Sequence, residues 1–409
     1  EDAYHNRKYN DPEKGKEEEN TMVEMTQRER FMTAIRGGEL DRVPFSPRIA
    51  YFLMEYYGEW FTWELFLRGA KEFGYDSYVI LNSPLQNIPY LPHLEDYSIL
   101  GDEVRVEMKK EQEGTNTRIT RTFYTPNGVL RDVTLHPKPN TGYGIAPNPH
   151  REEYLFKGPE DLDRIPYLLP DPRKVDMAEF HQCSKAIGQN GVVAVTVNSA
   201  IDHKAGNTMS VEKLMTLYYD DKPLFKKFLD LFHRHSLEET KVYLERGVEI
   251  IFGTWFFASI GAGWSPKIYQ EIFAPMLKEH VEITHRYGGI YHLYDDGACM
   301  PLIEIWRDCG VDIISTLTPP PMGDVDLRVV KEKVGTDCCL RGYVDHMNVV
   351  TFGTPQLIDE KVREAISIAA PGGKFILGTS DSIRDGTPPA NIHAYCQAAL
   401  KYGKYPIKV

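Results

Sequence analysis

The most informative part of the chain is Gly288–Pro301, which reads GGIYHLYDDGACMP. Its apolar residues predict a buried β-strand, and because side chains alternate along a strand, His292, Tyr294 and Asp296 fall on one face. Burying a polar group such as His292 or Asp295 costs on the order of several kcal/mol unless it is paired, binds a metal or faces a wet site. We therefore interpret the end of this strand as part of a functional site. The simpler alternative is a solvated strand end whose carboxylate caps the next helix.

Around this strand, short apolar runs alternate with helical patterns along most of the chain. The helix Thr26–Arg36 begins with a capping box of Thr26 and Glu29. Repeated strand and helix units predict an α/β protein, and a count of eight predicts a (β/α)8 TIM barrel. Besides the strand of Gly288–Pro301, the predicted strands are Val43–Ile49, Ser77–Leu81, Gly191–Asn198, Val248–Trp255, Val311–Leu317, Cys339–Val344 and Lys374–Gly378.

Three segments depart from this rhythm. Alternating apolar residues between Glu103 and Val133, with a turn at Pro126–Gly128, predict an antiparallel β-hairpin inserted after strand 2. Residues 137–148 are rich in Pro, Gly and Asn and predict a long loop, which either covers a site or is a surface excursion. Residues 1–25 predict a flexible acidic N-terminal arm. Residues 26–409 then form a single barrel domain, with the insertion at about 95–150.

The composition restricts the classes of function. The chain has 409 residues, of which 42% are hydrophobic, and a net charge of -12. Such a charge argues against nucleic acid and anionic membrane surfaces as partners, and no apolar run approaches the about 20 residues that span a membrane. The six cysteines include no C-x-x-C pair, which argues against a disulfide framework and a structural zinc module. We expect a cytoplasmic protein and allow for a homodimer.

The ends of the predicted strands should meet at one mouth of the barrel. Carboxylates and imidazoles gathered in a cleft suit either a metal site or general acid–base catalysis. Taken one at a time, Asp345 is equally well explained as a helix cap and His203 as a solvated loop residue. Phosphate-binding glycine motifs and the G-x-S-x-G motif of serine hydrolases do not occur in the sequence. The candidates at this mouth are His203, Tyr294, Asp296, Asp345, His346 and Asp381.

Several stretches resemble the uroporphyrinogen decarboxylase superfamily. They include RERFMTAIRGGELDRVPF, DGACMPLIEIWRDCGVDIIS and TFGTPQLIDEKVREAISIAAPGGKFILGTSDSI. The resemblance runs from about Thr26 to Tyr402 and implies a (β/α)8 barrel. Members of the decarboxylase branch carry an arginine-rich R-Q-A-G-R motif, whereas the corresponding segment here is PFSPRIAYFLMEYY, with Arg48 as its one basic residue. The resemblance therefore implies the other branch, the corrinoid-linked methyltransferases.

In that branch, the thiol-methylating members bind zinc through an H-x-C pair after the fifth strand and a cysteine after the eighth. Alignment on Gly297 places Tyr294 and Asp296 at the H-x-C pair, and alignment on Phe375–Ile383 places Asp381 at the last cysteine. Oxygen ligands suit a harder site than thiolates do. The resemblance thus implies O-demethylation of a small methoxylated substrate, with an aromatic ring favoured by the many tyrosines.

The predicted site combines a metal with acid–base groups. Zinc or another divalent metal would be held by His292, Asp296 and Asp381. The predicted catalytic groups are His203, Tyr294, Asp345 and His346. The chain has no D-x-H-x-x-G cobalamin-binding segment, so the corrinoid would be supplied by a partner protein. Two alternatives stay open, namely a decarboxylase of a polycarboxylate and a non-catalytic binding protein on the same barrel.

Overall fold

The computed structural model describes residues 24–85, 94–142 and 144–408. The predicted arm, residues 1–25, lies outside the described residues except for its last two. The strands are β1 (Ser77–Leu81), β2 (Arg105–Glu113), β3 (Asn116–Thr125), β4 (Gly128–Pro137), β5 (His150–Glu153), β6 (Gly191–Asn198), β7 (Ile250–Thr254), β8 (Ile290–Tyr294), β9 (Ile313–Ser315), β10 (Cys339–Val344) and β11 (Phe375–Thr379).

Helices follow most of the parallel strands. The α-helices are α1 (Gln27–Arg36), α2 (Ala50–Tyr57), α3 (Trp63–Phe73), α4 (Ala178–Ile187), α5 (Gly206–Thr208), α6 (Val211–Asp220), α7 (Lys222–Glu245), α8 (Pro266–Ile268), α9 (Ala274–Arg286), α10 (Ile303–Asp308), α11 (Leu327–Val334), α12 (Pro355–Ala369) and α13 (Pro389–Tyr402). Wider π-helical turns occupy Ala200–Ala205, Tyr269–Phe273 and His346–Thr351. The capping box predicted at Thr26 is confirmed, because Thr26 and Glu29 hydrogen-bond each other's backbone amides.

Seven parallel strands form one sheet in the order β1-β6-β7-β8-β9-β10-β11. This confirms the α/β class and seven of the predicted strands. The remaining one, Val43–Ile49, is wrong as a strand, because Pro44 and Pro47 have no amide hydrogen to donate. The segment nevertheless lies at both edges of the sheet. The Ser46 amide donates to the Leu377 carbonyl of β11 at 3.0 Å, and the Phe45 carbonyl accepts from Asp76, next to β1, at 2.9 Å.

The insertion is larger than the predicted hairpin. Strands β2 to β5 form a separate antiparallel sheet, and β3 and β4 turn at Pro126–Gly128 as the sequence indicated. Inside this sheet Asp132 accepts from Arg121 at 2.9 Å and from Arg151 at 2.7 Å, and all three side chains are buried. The loop that follows β4 reaches the parallel sheet, because the Ile145 amide donates to Asp385, beyond β11, at 3.1 Å.

Two hydrophobic clusters hold the parallel sheet and its helices together. One lies between the strands and the outer helices and includes Leu293 of β8. The other fills the inside of the barrel, where Tyr78, Phe252 and Tyr294 pack towards Phe31 of α1. The alternation predicted for β8 is therefore confirmed. Within the described ranges, no helix is both long and apolar enough to cross a membrane.

Candidate active site

Four polar side chains meet where β8 and β11 end. Tyr294 is the last residue of β8, Asp296 follows it, and Asp381 comes just after β11. The Tyr294 hydroxyl lies 3.1 Å from Asp296 Oδ2 and 3.3 Å from Asp381 Oδ1, so one hydroxyl faces both carboxylates. Arg48 completes the group, with Nη1 3.0 Å from Asp381 Oδ1. We call Arg48, Tyr294, Asp296 and Asp381 the mouth cluster.

The backbone fixes Arg48 in this position from both sides. Its amide donates to the Thr379 hydroxyl at 3.2 Å, and its carbonyl accepts from the Ile383 amide at 2.7 Å. The guanidinium carbon lies 4.3 Å from the centre of the Tyr294 ring, which is a cation–π contact. Sequence reasoning noted Arg48 but assigned it no role. Its place at the end of the predicted strand Val43–Ile49 was the signal that could have added it to the site.

Charges within the cluster shift the pKa values of its members. Burial opposes the charge of Arg48, but Tyr294, Asp381 and Asp296 raise its pKa, so it is a permanent cation. Burial, followed by repulsion from Asp381, raises the pKa of Asp296 above its usual range. Burial also raises the pKa of Tyr294 well above its usual value. The cluster therefore contains one cation, one neutral hydroxyl donor and a carboxyl that keeps its proton to a higher pH than usual.

Two further carboxyls lie buried beside the cluster, and neither was given a role in the predicted site. Asp202 sits at a kink in the π-helical turn after β6, where its backbone leaves helical geometry. Neither of its side-chain oxygens has a hydrogen-bond partner among the described residues. Burial, with added repulsion from Asp296, raises its pKa well above the usual value. Burial and Asp296 do the same for Asp295, whose Oδ1 accepts from the Asp296 amide at 2.8 Å. Both carboxyls therefore hold protons when an exposed aspartate would not.

The histidines predicted to be catalytic lie at the same end of the barrel. His346 Nδ1 is 3.0 Å from the Ser380 hydroxyl, and burial lowers the pKa of His346. His203 packs edge-on against Phe256, with ring centres 4.9 Å apart, and burial lowers its pKa to about 4. Both imidazoles are therefore neutral at neutral pH.

Asp345 hydrogen-bonds the start of the helical turn that follows it. Its Oδ1 accepts from the amides of Met347 and Asn348, each at 2.8 Å, and its Oδ2 accepts from the Asn348 side chain at 2.8 Å. It therefore caps the π-helical turn His346–Thr351. These contacts agree with the helix-cap alternative. They do not connect Asp345 to the mouth cluster, so its catalytic role stays a prediction.

His292 does not lie where a ligand beside Asp296 would have to be. Its Nδ1 is 2.8 Å from the Tyr78 hydroxyl and its Nε2 is 2.8 Å from the Ser315 hydroxyl, so both ring nitrogens are engaged inside the barrel. Residues two apart on a strand are separated by about 6.5 Å, and this spacing places His292 deeper than Asp296. These two hydroxyl partners give His292 a structural explanation inside the sheet, and its role as a metal ligand stays a prediction.

The predicted zinc site fits the described side chains poorly. Among the residues that the structure describes, no three His, Cys, Asp or Glu side chains are grouped to hold a metal ion. The charged group of Arg48 lies against Asp381, one of the two remaining predicted ligands. A nearby sulfur, Cys299, is buried, and burial with the neighbouring aspartates raises its pKa well above the usual value, so it is a neutral thiol.

Comparison with known proteins shows that half of the chain matches a family profile. The profile described as "Uroporphyrinogen decarboxylase (URO-D)" matches residues 196–402 of the 409. Over 201 residues the chain is 26% identical to a uroporphyrinogen decarboxylase from Prochlorococcus marinus. This alignment covers 48% of this chain and 53% of that protein. Over 194 residues it is 24% identical to a methylated-thiol–coenzyme M methyltransferase from Methanosarcina mazei, covering 47% and 49% respectively. The chain thus spans about half the length of these curated relatives.

Among solved structures, the fold is similar to that of a methyltransferase from Methanosarcina mazei. The two chains superpose with a TM-score of 0.60 at 19% sequence identity. The superposition covers 93% of this chain and 99% of the other. At this identity the likeness supports the α/β architecture.

Proposed function

We propose, since the chain belongs to the uroporphyrinogen decarboxylase family, that it is a methyltransferase of that family. The methyl donor would be a small methoxylated aromatic compound, and the acceptor would be the cobalt of a reduced corrinoid held by a separate protein. The reaction would be an O-demethylation. Similarity to a methylated-thiol methyltransferase supports the reaction type, and the chemistry of the mouth cluster supports the choice of oxygen over sulfur.

The observation that carries this proposal is the raised pKa of Asp296 within the cluster. When a methyl group leaves an ether, the oxygen keeps the bonding electron pair and needs a proton to become a stable product. A carboxyl with a raised pKa keeps its proton to a higher pH than an exposed aspartate does, and it is suited to give that proton as a general acid. Asp381, which is paired with Arg48, fixes the cation next to this acid.

Aromatic rings beside the cluster are suited to an aromatic donor. The ring of Phe252 lies 5.3 Å from that of Tyr294, and the ring of Phe256 lies 6.1 Å from it, centre to centre. Planar rings at these separations offer edge-to-face or offset contacts to a further ring. The Tyr294 hydroxyl would orient Asp296 towards the departing oxygen, because it donates a hydrogen bond to that carboxyl.

The balanced reaction assigns limited tasks to this chain. When held by its partner protein, a Co(I) corrinoid would supply the electron pair for the new bond to the methyl carbon. The bonding pair of the broken carbon–oxygen bond stays on the oxygen, which takes the proton from Asp296. The residues of this chain would therefore bind the donor, orient its oxygen and supply a proton, and the carboxylate of Asp296 would regain its proton from solvent.

The test is methyl transfer to free cob(I)alamin, followed by the cobalt absorbance, with methoxybenzenes and hydroxylated methoxybenzenes as donors. We expect methylation with the wild type and a loss of about 100-fold or more in Asp296→Asn, in line with the usual contribution of a general acid. Asp308→Asn, an exposed carboxylate on α10, is the matched control and should keep full activity. Transfer from methylthio compounds but from no ether would refute the proposal.

A decarboxylase is the second candidate, because Arg48 is a cation at the mouth and cations bind carboxylate substrates. The same protein samples, incubated with aromatic and aliphatic polycarboxylates and assayed for released CO2, separate the two candidates. Release of CO2 without any methyl transfer would favour the decarboxylase.

A further inference from the structure

We propose that Arg48 is the electrophile of this site, so that its guanidinium replaces a metal ion in stabilising the oxygen that departs from the methyl donor. This inference rests on the proposed function, because it assigns Arg48 to the leaving group of that reaction. It also accounts for the poor fit of the predicted zinc site to the described side chains.

Arg48 has the position that a bound cation would need. Asp296 and Asp381 both face the Tyr294 hydroxyl, and the guanidinium fills the place against Asp381 at 3.0 Å. A divalent ion between the two carboxylates would lie next to this permanent positive charge and be repelled by it. Of the two carboxylates at the ligand positions implied by the family resemblance, Asp381 is thus paired with Arg48, and Asp296 accepts a hydrogen bond from Tyr294.

Arg48 also has unused capacity to donate. Its Nη1 is buried and has no hydrogen-bond partner among the residues that the structure describes, since the ion pair with Asp381 lacks hydrogen-bond alignment. A buried donor of this kind is normally satisfied by a protein group, a water molecule or a ligand. The side chain as a whole is 23% exposed, so Arg48 borders the mouth, although Nη1 itself is covered. An oxygen that becomes negative would satisfy Nη1 with a charge-assisted hydrogen bond.

The position of the guanidinium is fixed before any substrate binds. Backbone hydrogen bonds to Thr379 and from Ile383 anchor the residue, and the Tyr294 ring supports its flat face. Preorganised donors of this kind stabilise charge that develops in a transition state without first having to be oriented. As the carbon–oxygen bond breaks, the electron pair passes to the oxygen, Arg48 stabilises that charge, and the proton of Asp296 neutralises it.

The first test measures metal binding, which does not depend on activity. Wild type, Asp296→Asn, Asp381→Asn and Arg48→Met are equilibrated with excess zinc, and the bound metal is determined by elemental analysis after gel filtration. We expect much less than one equivalent in the wild type and no decrease in either aspartate variant. About one zinc per chain that is lost in both aspartate variants would overturn the inference, and it would do so whether or not the protein transfers methyl groups.

The second test uses donors that differ in the acidity of their leaving group. Arg48→Met should lower methyl transfer by about 100-fold or more, the usual cost of removing one preorganised donor, and Arg48→Lys should recover part of it. The loss should be largest for the poorest leaving group and should shrink as electron-withdrawing substituents make the departing oxygen a weaker base. An equal loss for all donors would indicate a merely structural role and overturn the assignment. A wild type that is inactive with every donor would instead refute the proposed function, while the zinc measurement would still decide between arginine and metal.

Discussion

Replacing Asp202 with asparagine should remove a pH-dependent cost of folding. The native carboxyl holds its proton, because burial and the nearby Asp296 raise its pKa well above the ordinary value of 3.8. The unfolded chain releases that proton above about pH 4, so the native state binds more protons and wild-type stability falls as the pH rises. The cost grows by about 1.4 kcal/mol per pH unit for as long as the native carboxyl stays protonated. Between pH 5 and pH 7, Asp202→Asn should therefore gain stability relative to the wild type, by at most about 2.7 kcal/mol, the limit for a carboxyl that keeps its proton over the whole range.

Urea unfolding at pH 5, 6 and 7 measures this gain as a slope. At any single pH, the difference in unfolding free energy between variant and wild type also contains the cost of burying the new amide. The change of that difference with pH does not contain this cost. Asn198→Ser, at the end of β6, serves as the control, because it removes a buried polar side chain without a titratable group and its difference from the wild type should not change with pH. A difference between Asp202→Asn and wild type that stays flat from pH 5 to pH 7 would refute the reasoning, since it would mean that native Asp202 is ionised.

Three further predictions concern stability. The pKa of His203 is about 4 in the folded protein and about 6.5 in an unfolded chain, so the unfolded chain takes up the proton first as the pH falls. From pH 7 to pH 5 the wild type should therefore lose roughly 2 kcal/mol more unfolding free energy than His203→Gln. An equal loss in both proteins would contradict this. Asp345→Ala removes a helix cap and should cost about 1–2 kcal/mol in urea unfolding, with Asp345→Ser recovering most of it. Asp132→Ala leaves buried Arg121 and Arg151 without their shared carboxylate and should cost about 3–5 kcal/mol; a change in the midpoint of thermal unfolding too small to detect would count against it.

The regular part of the fold could be predicted because its signals are local. An apolar run of the right length between helical patterns predicts a buried parallel strand, as at β8 and β10, and a capping box predicts the start of α1. The segment Val43–Ile49 has the same apolar character but contains Pro44 and Pro47. Attention to their missing amides would have predicted an irregular segment in place of a strand.

The candidate site could be predicted only in part, because its contacts join distant parts of the sequence. The strand-end rule selected Tyr294, Asp296 and Asp381, and the structure brings these three side chains together. It could not reveal that His292 is engaged deeper in the barrel. It also could not reveal that Arg48 lies against Asp381, since that contact depends on how the chain closes the sheet.

The closing segment at Phe45 and Ser46 has a consequence for how the protein is synthesised. Ser46 must find Leu377, and the amide of Arg48 must find Thr379, 331 residues later in the sequence. A nascent chain therefore cannot make these bonds until Leu377 and Thr379 have left the ribosome. Until then Ser46 and Arg48 have no β11 residues to bond with. Contacts between residues so far apart in sequence also form slowly. The cluster that we propose to perform the chemistry would assemble only after β11 is made, so a chain that stops before β11 would carry the other parallel strands and lack the site.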